Sequence, residues 1–233
     1  MKIHRFITDY TIIENTITIT DSELIHQWKN VLKFKIDEKI ILSDINKNEV
    51  LCTIKSINKK EFILEVKEKY INKNESNKNS TLYLAILKRE NFELVIQKAT
   101  ELGINRIVPI ITQNTVKMGL KHERLAKIAK EASELSGRST IPQIIEPMFF
   151  LDSLNDSKDT HTRIIFDISG TKIKIPEKTN EESIAIYVGP EGGFTESEIN
   201  LAKENNLKII SLGTLTLRGE TAGIIASYLA EQL

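Results

Sequence analysis

The sequence has little of what marks several broad classes of protein. One cysteine, Cys52, stands among 233 residues, so no internal disulfide can form and a reducing, cytoplasmic setting is expected. No apolar stretch approaches the roughly 18 residues that a membrane-spanning helix needs. The first residues, Met1-Lys-Ile-His-Arg-Phe6, carry no apolar secretory region, so a soluble globular protein with no membrane partner is expected. The four histidines, His4, His26, His122 and His161, are scattered without ligand spacing, and no metal site is expected. Charge of one sign is missing too. Thirty-two Lys plus Arg balance thirty-two Asp plus Glu, and dividing the chain at residue 75 leaves both parts near neutrality. The basic footprint of a nucleic-acid binder is therefore absent from the sum, which leaves local clusters as the electrostatic route to such a partner. Neither G-x-x-x-x-G-K-[ST] nor G-x-G-x-x-G occurs, which removes the signatures of nucleoside triphosphate and dinucleotide sites.

What is present is enough apolar material for real cores, 40% of the residues, in one large or two small domains. The first seventy residues read as short strands around one helix. Lys2 to Phe6, Thr16 to Thr20, Lys39 to Ser43, Val50 to Ile57 and Phe62 to Tyr70 are rich in β-branched and aromatic residues. The helix is expected over Ser22 to Leu32, with Thr20 and Glu23 as a capping box and Leu24, Trp28, Val31 and Leu32 on one face. This pattern suggests a small β-barrel-like domain over residues 1–71. Residues 72–80 hold no apolar side chain and read as a linker.

From residue 81 to 233 strands and helices alternate. Leu82 to Leu87, Ile107 to Ile111, Ile164 to Phe166, Ile184 to Val188 and Ile209 to Leu212 are apolar strand candidates. Helices are expected over Phe92 to Leu102, ended by Gly103, over Glu123 to Ser136 with Leu125, Ile128, Ala129, Ala132 and Leu135 inward, and over Thr221 to Leu233. Alternation of this kind predicts an α/β domain with a parallel sheet covered on both faces.

Three loops follow strands in this part: Asp167-Ile-Ser-Gly170, Gly189-Pro-Glu-Gly-Gly193 and Gly213 to Glu220. In a parallel sheet the carboxyl ends of the strands share one side, so the three can converge on one crevice. The glycine-rich stretch lies between Ile184–Val188 and a helix start written in Thr195-Glu-Ser-Glu198, a second capping box. Taken alone, such a turn serves structure as readily as a ligand. The block Leu212-Gly-Thr-Leu-Thr-Leu-Arg-Gly-Glu-Thr-Ala222 adds apolar walls and a few directional polar groups, the usual make-up of a small-molecule site.

These two blocks, with Lys88, Gln97-Lys-Ala-Thr-Glu-Leu-Gly103, Pro109, Glu123-Arg124, Glu131-Ala132, Ser136-Gly-Arg138 and Ile141-Pro142 between the domains' signals, and with His4-Arg-Phe6, His26 and Val31-Leu32 near the start, resemble the SPOUT methyltransferases. More narrowly the chain resembles the 16S rRNA uridine-N3 methyltransferase family. The resemblance implies a C-terminal α/β domain tied in a trefoil knot, preceded by a PUA-like barrel that binds RNA. It implies a homodimer that takes S-adenosyl-L-methionine and methylates N3 of a decoding-region uridine in 16S rRNA within the small ribosomal subunit. Carried onto this chain, it gives Arg218 and Glu220 as catalytic residues. Phe166, Gly189, Pro190, Glu191, Gly192, Gly193, Leu212, Gly213, Leu217 and Thr221 are the expected cofactor contacts. Arg5, Lys33, Lys35, Lys88, Arg89 and Arg138 are the expected RNA contacts. The chain departs from the family pattern at Gly219, usually Thr or Ala, at Leu135, usually Gln, at Asn114 and Lys33, where Arg is frequent, and at Asp37-Glu38, which replaces a Gly-Asp turn. Two other readings stay open at this point: a relative of the same architecture that acts on another RNA site such as a ribose 2′-hydroxyl, and a catalytically silent RNA-binding protein.

Overall fold

A computed structural model describes residues 3–76, 78–116, 119–172 and 182–233. Lys2 of the expected first strand and Asn77 of the expected linker lie outside the described residues. The chain forms two compact units: residues 1–75 with 133–140, and residues 76–132 with 141–233.

In the first unit a five-stranded sheet runs in the order β1-β3-β4-β5-β2, from β1 (His4–Ile7), β2 (Thr16–Ile19), β3 (Lys39–Ser43), β4 (Asn48–Ile57) and β5 (Phe62–Ile71). β1 is parallel to β3 and the other pairs are antiparallel. The sheet packs around the fully buried Trp28, whose ring lies 4.9 Å from Phe6 and 5.2 Å from Phe62. Trp28 comes from a helix that differs from expectation in two ways. The cap of α1 (Ser22–His26) is Asp21, whose carboxylate accepts from the Leu24 amide at 2.8 Å, and not Thr20. The following Gln27–Val31 is wound as a π-helix, closed by the Leu32 amide on the Gln27 carbonyl. The wider turn breaks the 3.6-residue period. Val31, expected inward, is consequently 66% exposed.

Of the polar stretch expected as a linker, residues 72–75 are tied into the first unit, while Asn79 and Ser80 already open a strand of the second. Arg5 donates to both oxygens of the buried Glu49, and the Asn72 amide donates to Glu49 Oε1 at 2.7 Å and to the Gly137 carbonyl. The carboxylate of Glu75 accepts from the Ser139 and Thr140 amides, each at 2.8 Å, and pairs with Arg138. Burying such groups is tolerable only when they are paired and hydrogen-bonded, and here the partners come from about 65 residues away along the chain. Residues 133–140 therefore group with the first unit, and the second is not the contiguous stretch that patterning suggested.

The second unit is built on a seven-stranded sheet that is parallel throughout, ordered β12-β10-β11-β6-β7-β8 with β9 also on β7. Its strands are β6 (Asn79–Ala85), β7 (Arg106–Ile111), β8 (Gln143–Ile144), β9 (Met148–Phe149), β10 (Thr162–Lys172), β11 (Ser183–Val188) and β12 (Lys208–Ser211). Alternate side chains feed two cores. Leu82, Leu84, Ile184, Ile186 and Val188 meet Phe92, Val95, Ile96 and Ala99 of α2 (Arg89–Glu101), Leu125 and Ala129 of α3 (His122–Ser136), and Ala226 and Leu229 of α6 (Gly219–Gln232). Tyr83, Ala85, Ala185 and Tyr187 face α4 (Phe150–Asp156) and α5 (Glu196–Glu204). Leu135, expected inward on α3, is exposed, and Ser133 is buried in the last turn instead. From β12 at the sheet edge the chain returns as α6 to pack on α2, β6 and β11.

Glu75 links this architecture to pH. Burial opposes its ionisation, but the Arg138 charge and the Thr140 and Ser139 amides outweigh it and hold its carboxyl below the ordinary glutamate value of 4.5. A depressed folded-state value contributes stability that is present above 4.5 and lost as pH falls through the lower folded value. Glu75→Gln should therefore melt below the wild type at neutral pH and lose less on acidification through that window. Parallel curves of melting temperature against pH for the two proteins would remove Glu75 from this role.

Candidate active site

The site begins with strand register. Phe166 of β10 lies beside Val188 of β11 and Ile210 of β12, so all three connections leave the sheet at one level. Between them opens a cavity of about 370 Å³. Position at the carboxyl ends of parallel strands is where such sheets place ligands.

The three connections take different forms. Asp167–Gly170 is not a free loop. It is a bulge in β10, after which Thr171 and Lys172 pair with β12 again. The Asp167 carboxylate accepts from the Ser169 amide and hydroxyl and holds the bulge in shape. The second connection is the glycine loop. Its turn closes with the Gly193 amide donating to the Pro190 carbonyl at 2.8 Å, and Gly193 takes a φ of +69°, which a side chain would resist. α5 follows with the capping box in place: Thr195 Oγ1 accepts from the Glu198 amide and Glu198 Oε2 from the Thr195 amide. The third connection turns at Ser211, whose hydroxyl donates to the Gly213 carbonyl, and enters α6 at Gly219.

Of the expected cofactor residues, Phe166, Gly189, Pro190, Glu191, Gly192, Gly193, Leu212, Gly213 and Leu217 all border this cavity. Thr221 does not; it stands exposed in the first turn of α6. Asp167, Ile168 and Leu215 also border the cavity; they lie in loops expected at this crevice but are not among the expected contacts, and Phe194, which adds apolar wall, lies outside those loops altogether. The charge of the wall is one-sided. Asp167 and Glu191 border it, and no Lys, Arg or His does among the described residues. Such a wall repels phosphates and suits a ligand with an apolar body and a positive centre.

Arg218 and Glu220 sit at the start of α6. The Arg218 side chain is 85% exposed, while that of Glu220 is 13% exposed, with 3.9 Å between Arg218 Nη1 and Glu220 Oε1. Glu220 Oε2 is buried and has no hydrogen-bond partner. A buried carboxylate oxygen left unsatisfied costs stability, and such groups in native proteins repeatedly mark function. Gly219, between them, has a packing reason: a Cβ there would come within 2.8 Å of Leu87 Cδ2. Leu87 fills the space that the larger residue of the family pattern would occupy.

One of the expected RNA contacts is corrected: Arg138 is buried against Glu75 and presents nothing to a phosphate. Arg5 is engaged by Glu49, with 15% of its side chain exposed. Lys33, Lys35, Lys88 and Arg89 are exposed, with Arg89 in a surface pair with Glu93.

A parallel-sheet domain with its cavity walled by glycine-rich and leucine-rich connections, preceded by a small mixed sheet, is the architecture expected of an RNA methyltransferase of the SPOUT class with a PUA-like domain. Comparison with known proteins agrees. A family described as the RNA methyltransferase domain matches residues 74–231, and one described as the RNA methyltransferase PUA domain matches residues 29–67. The chain is 34% identical to ribosomal RNA small subunit methyltransferase E of Rickettsia conorii, over 97% of this chain and 94% of that one. It is 30% identical to the Bacillus subtilis protein of the same name, over 94% and 92%. A crystal structure of the Neisseria gonorrhoeae ribosomal RNA small subunit methyltransferase E bound to S-adenosyl methionine superposes with a TM-score of 0.87 at 28% identity, covering 97% of this chain and 95% of that one. The chain belongs to the ribosomal RNA small subunit methyltransferase E family.

The Gly219 packing predicts a measurable coupling. Gly219→Thr should cost on the order of 1–3 kcal/mol by overpacking, and Leu87→Ala in the same chain should recover part of it. A double-mutant cycle by chemical denaturation should give a coupling of roughly 0.5–3 kcal/mol. Simply additive losses would mean that Leu87 is not the occupant of that space.

Proposed function

We propose that this protein transfers the methyl group of S-adenosyl methionine to N3 of a decoding-region uridine in 16S rRNA within the small ribosomal subunit. The observation that carries the reading is the cavity at the ends of β10, β11 and β12, with apolar walls, glycine-loop backbone and, among the described residues, carboxylates as its only charges. That chemistry fits a nucleoside joined to an amino acid through a sulfonium: Phe166, Ile168, Leu212, Leu215 and Leu217 offer contact for an apolar ring, and Asp167 and Glu191 favour a positive centre.

When bound, the cofactor supplies an activated methyl group. The chain's own residues must then align the attacking nitrogen and manage one proton and one negative charge. Glu220, with its unpartnered Oε2, takes the proton from uridine N3. Arg218, almost fully exposed beside it, donates to the uracil oxygens on which the charge accumulates as N3 loses its proton. The N3–methyl bond forms as the sulfonium–methyl bond breaks, so methylated uridine and S-adenosyl homocysteine leave as products, and the proton held on Glu220 passes to solvent. Lys33 and Lys35 in the first unit, and Lys88 and Arg89 in the second, supply exposed charge for the RNA backbone. Leu94 on α2 with Ile225 and Tyr228 on α6 form an exposed apolar set, which we assign to a second copy of the chain in a homodimer, checked by light scattering. A partner of ribosomes is expected in the cytoplasm.

Glu220→Gln should lower single-turnover methylation of purified small subunits by about 10²–10⁴-fold while leaving calorimetric binding of S-adenosyl methionine nearly unchanged. Mass spectrometry of the product nucleosides identifies the reaction: N3-methyluridine is expected, and a ribose-methylated product, or none, would overturn the reading.

Weakening the hold on phosphates has its own signature. Lys33→Ala and Lys35→Ala together should reduce affinity for small subunits and make the plot of log affinity against log salt shallower by roughly one for each phosphate no longer neutralised. An unchanged slope would take these lysines out of the interface.

A further inference from the structure

The glycine loop is gripped from outside by a second loop that none of the expected site residues includes. Thr112–Thr115, after β7, is a self-contained turn. The Thr115 hydroxyl accepts from the Thr112 amide at 3.0 Å and lies 2.8 Å from the Thr112 hydroxyl, and the Thr115 amide donates to the Thr112 carbonyl. Two attachments run from this turn to the glycine loop. The side-chain amide of Asn114 donates to the carbonyls of both Gly192 and Gly193, each at 3.1 Å. The Gln113 amide donates to Glu198 Oε1 at 2.9 Å, while the other oxygen of that buried carboxylate receives the Thr195 amide and hydroxyl. Glu198 thus closes the cap of α5 and anchors the 112–115 turn at once.

The consequence follows from peptide geometry. A trans peptide unit is planar, so its N–H points opposite to its carbonyl. The Gly193 amide is already turned onto the Pro190 carbonyl, so what the hold of Asn114 on the Gly193 carbonyl adds is the direction of the Phe194 amide, and Gly192, Gly193 and Phe194 all border the cavity. Glycine peptides rotate with little resistance when nothing holds them, so the grip removes a freedom that a ligand would otherwise have to freeze. The space beside Gly192 is already taken: a Cβ there would lie 3.2 Å from Asn114 Cβ.

We propose that Asn114 is a positioning residue for the cofactor, acting through the Gly192 and Gly193 carbonyls, with Glu198 locking the two loops together. The inference rests on the proposed function, since it concerns the same cavity. Asn114 does not touch the reacting atoms, and its loss should change how well the cavity is preorganised more than how fast bound reactants turn over.

The test uses the full-length protein and S-adenosyl methionine. Asn114→Asp keeps shape and volume but puts an acceptor against two carbonyls. It should weaken binding by roughly 5–30-fold, the effect of one or two hydrogen bonds. The KM for S-adenosyl methionine should rise in step, with kcat at saturation within about twofold and the melting temperature of the free protein unchanged, because residue 114 is exposed. Asn114→Gln, which keeps the donor, should recover part of the affinity. Unchanged binding in Asn114→Asp, or a fall in melting temperature and kcat with KM unmoved, would overturn the inference and leave the proposed function standing. A wild-type protein that binds no S-adenosyl methionine would overturn both.

Discussion

A sheet that is parallel throughout has all its strand ends on one side, and the position of the active site depends on that constraint. The side-chain period of two fixes which residues enter which core. Ile184, Ile186 and Val188 face α2, α3 and α6, whereas Ala185 and Tyr187 face α4 and α5. A slip of one residue would exchange the two sets, placing tyrosine where aliphatic side chains fit. Core packing therefore fixes the register of β10, β11 and β12, and register in turn brings Phe166, Val188 and Ile210 abreast. The cavity is the gap left where the three connections diverge from that line.

Buried carboxylates do the finer fastening. Glu49, Glu75 and Glu198 each collect donors from segments far apart in sequence: Arg5 and Asn72 for the first, Arg138, Ser139 and Thr140 for the second, Thr195 and Gln113 for the third. A desolvated carboxylate is stable only with such company. Each therefore pins two or more segments at once. Glu220 is the contrast. One of its oxygens is buried without a hydrogen-bond partner, so it ties no segments together, and the proposed function gives it the uridine proton instead.

These two kinds of constraint differ in how well they can be read from sequence. Periodic packing is local in the chain, so β6, β11, α2 and the Thr195–Glu198 cap are legible from the order of apolar and polar residues. The carboxylate ties are not. Residues 72–75 are polar in sequence and read as facing water, yet Asn72 and the side chain of Glu75 are buried, on partners that include residues some 65 positions away. The outward turn of Val31 is hidden for a related reason: a π-helical turn breaks the period on which the expectation rests. The grip of Asn114 on the glycine loop carries no sequence signal at all, since a single amide 78 residues from its acceptor belongs to no pattern.

The same distinction explains how a chain with no net charge can serve a cationic donor and a polyanionic acceptor. Counting treats all arginines alike, but Arg5, Arg106 and Arg138 are paired with Glu49, Asp156 and Glu75. Their charges are offset where they stand, whereas Arg89 and Arg124, both exposed, share the single carboxylate of Glu93. The cavity wall then keeps only carboxylates among the described residues, the sign that a sulfonium requires, and the exposed lysines outside it keep the sign that RNA requires. Spreading a net positive charge over the whole surface would have helped the second partner at the expense of the first. Local pairing separates the two demands, with Arg218, exposed at the start of α6, 3.9 Å from one oxygen of Glu220 while the other has no hydrogen-bond partner.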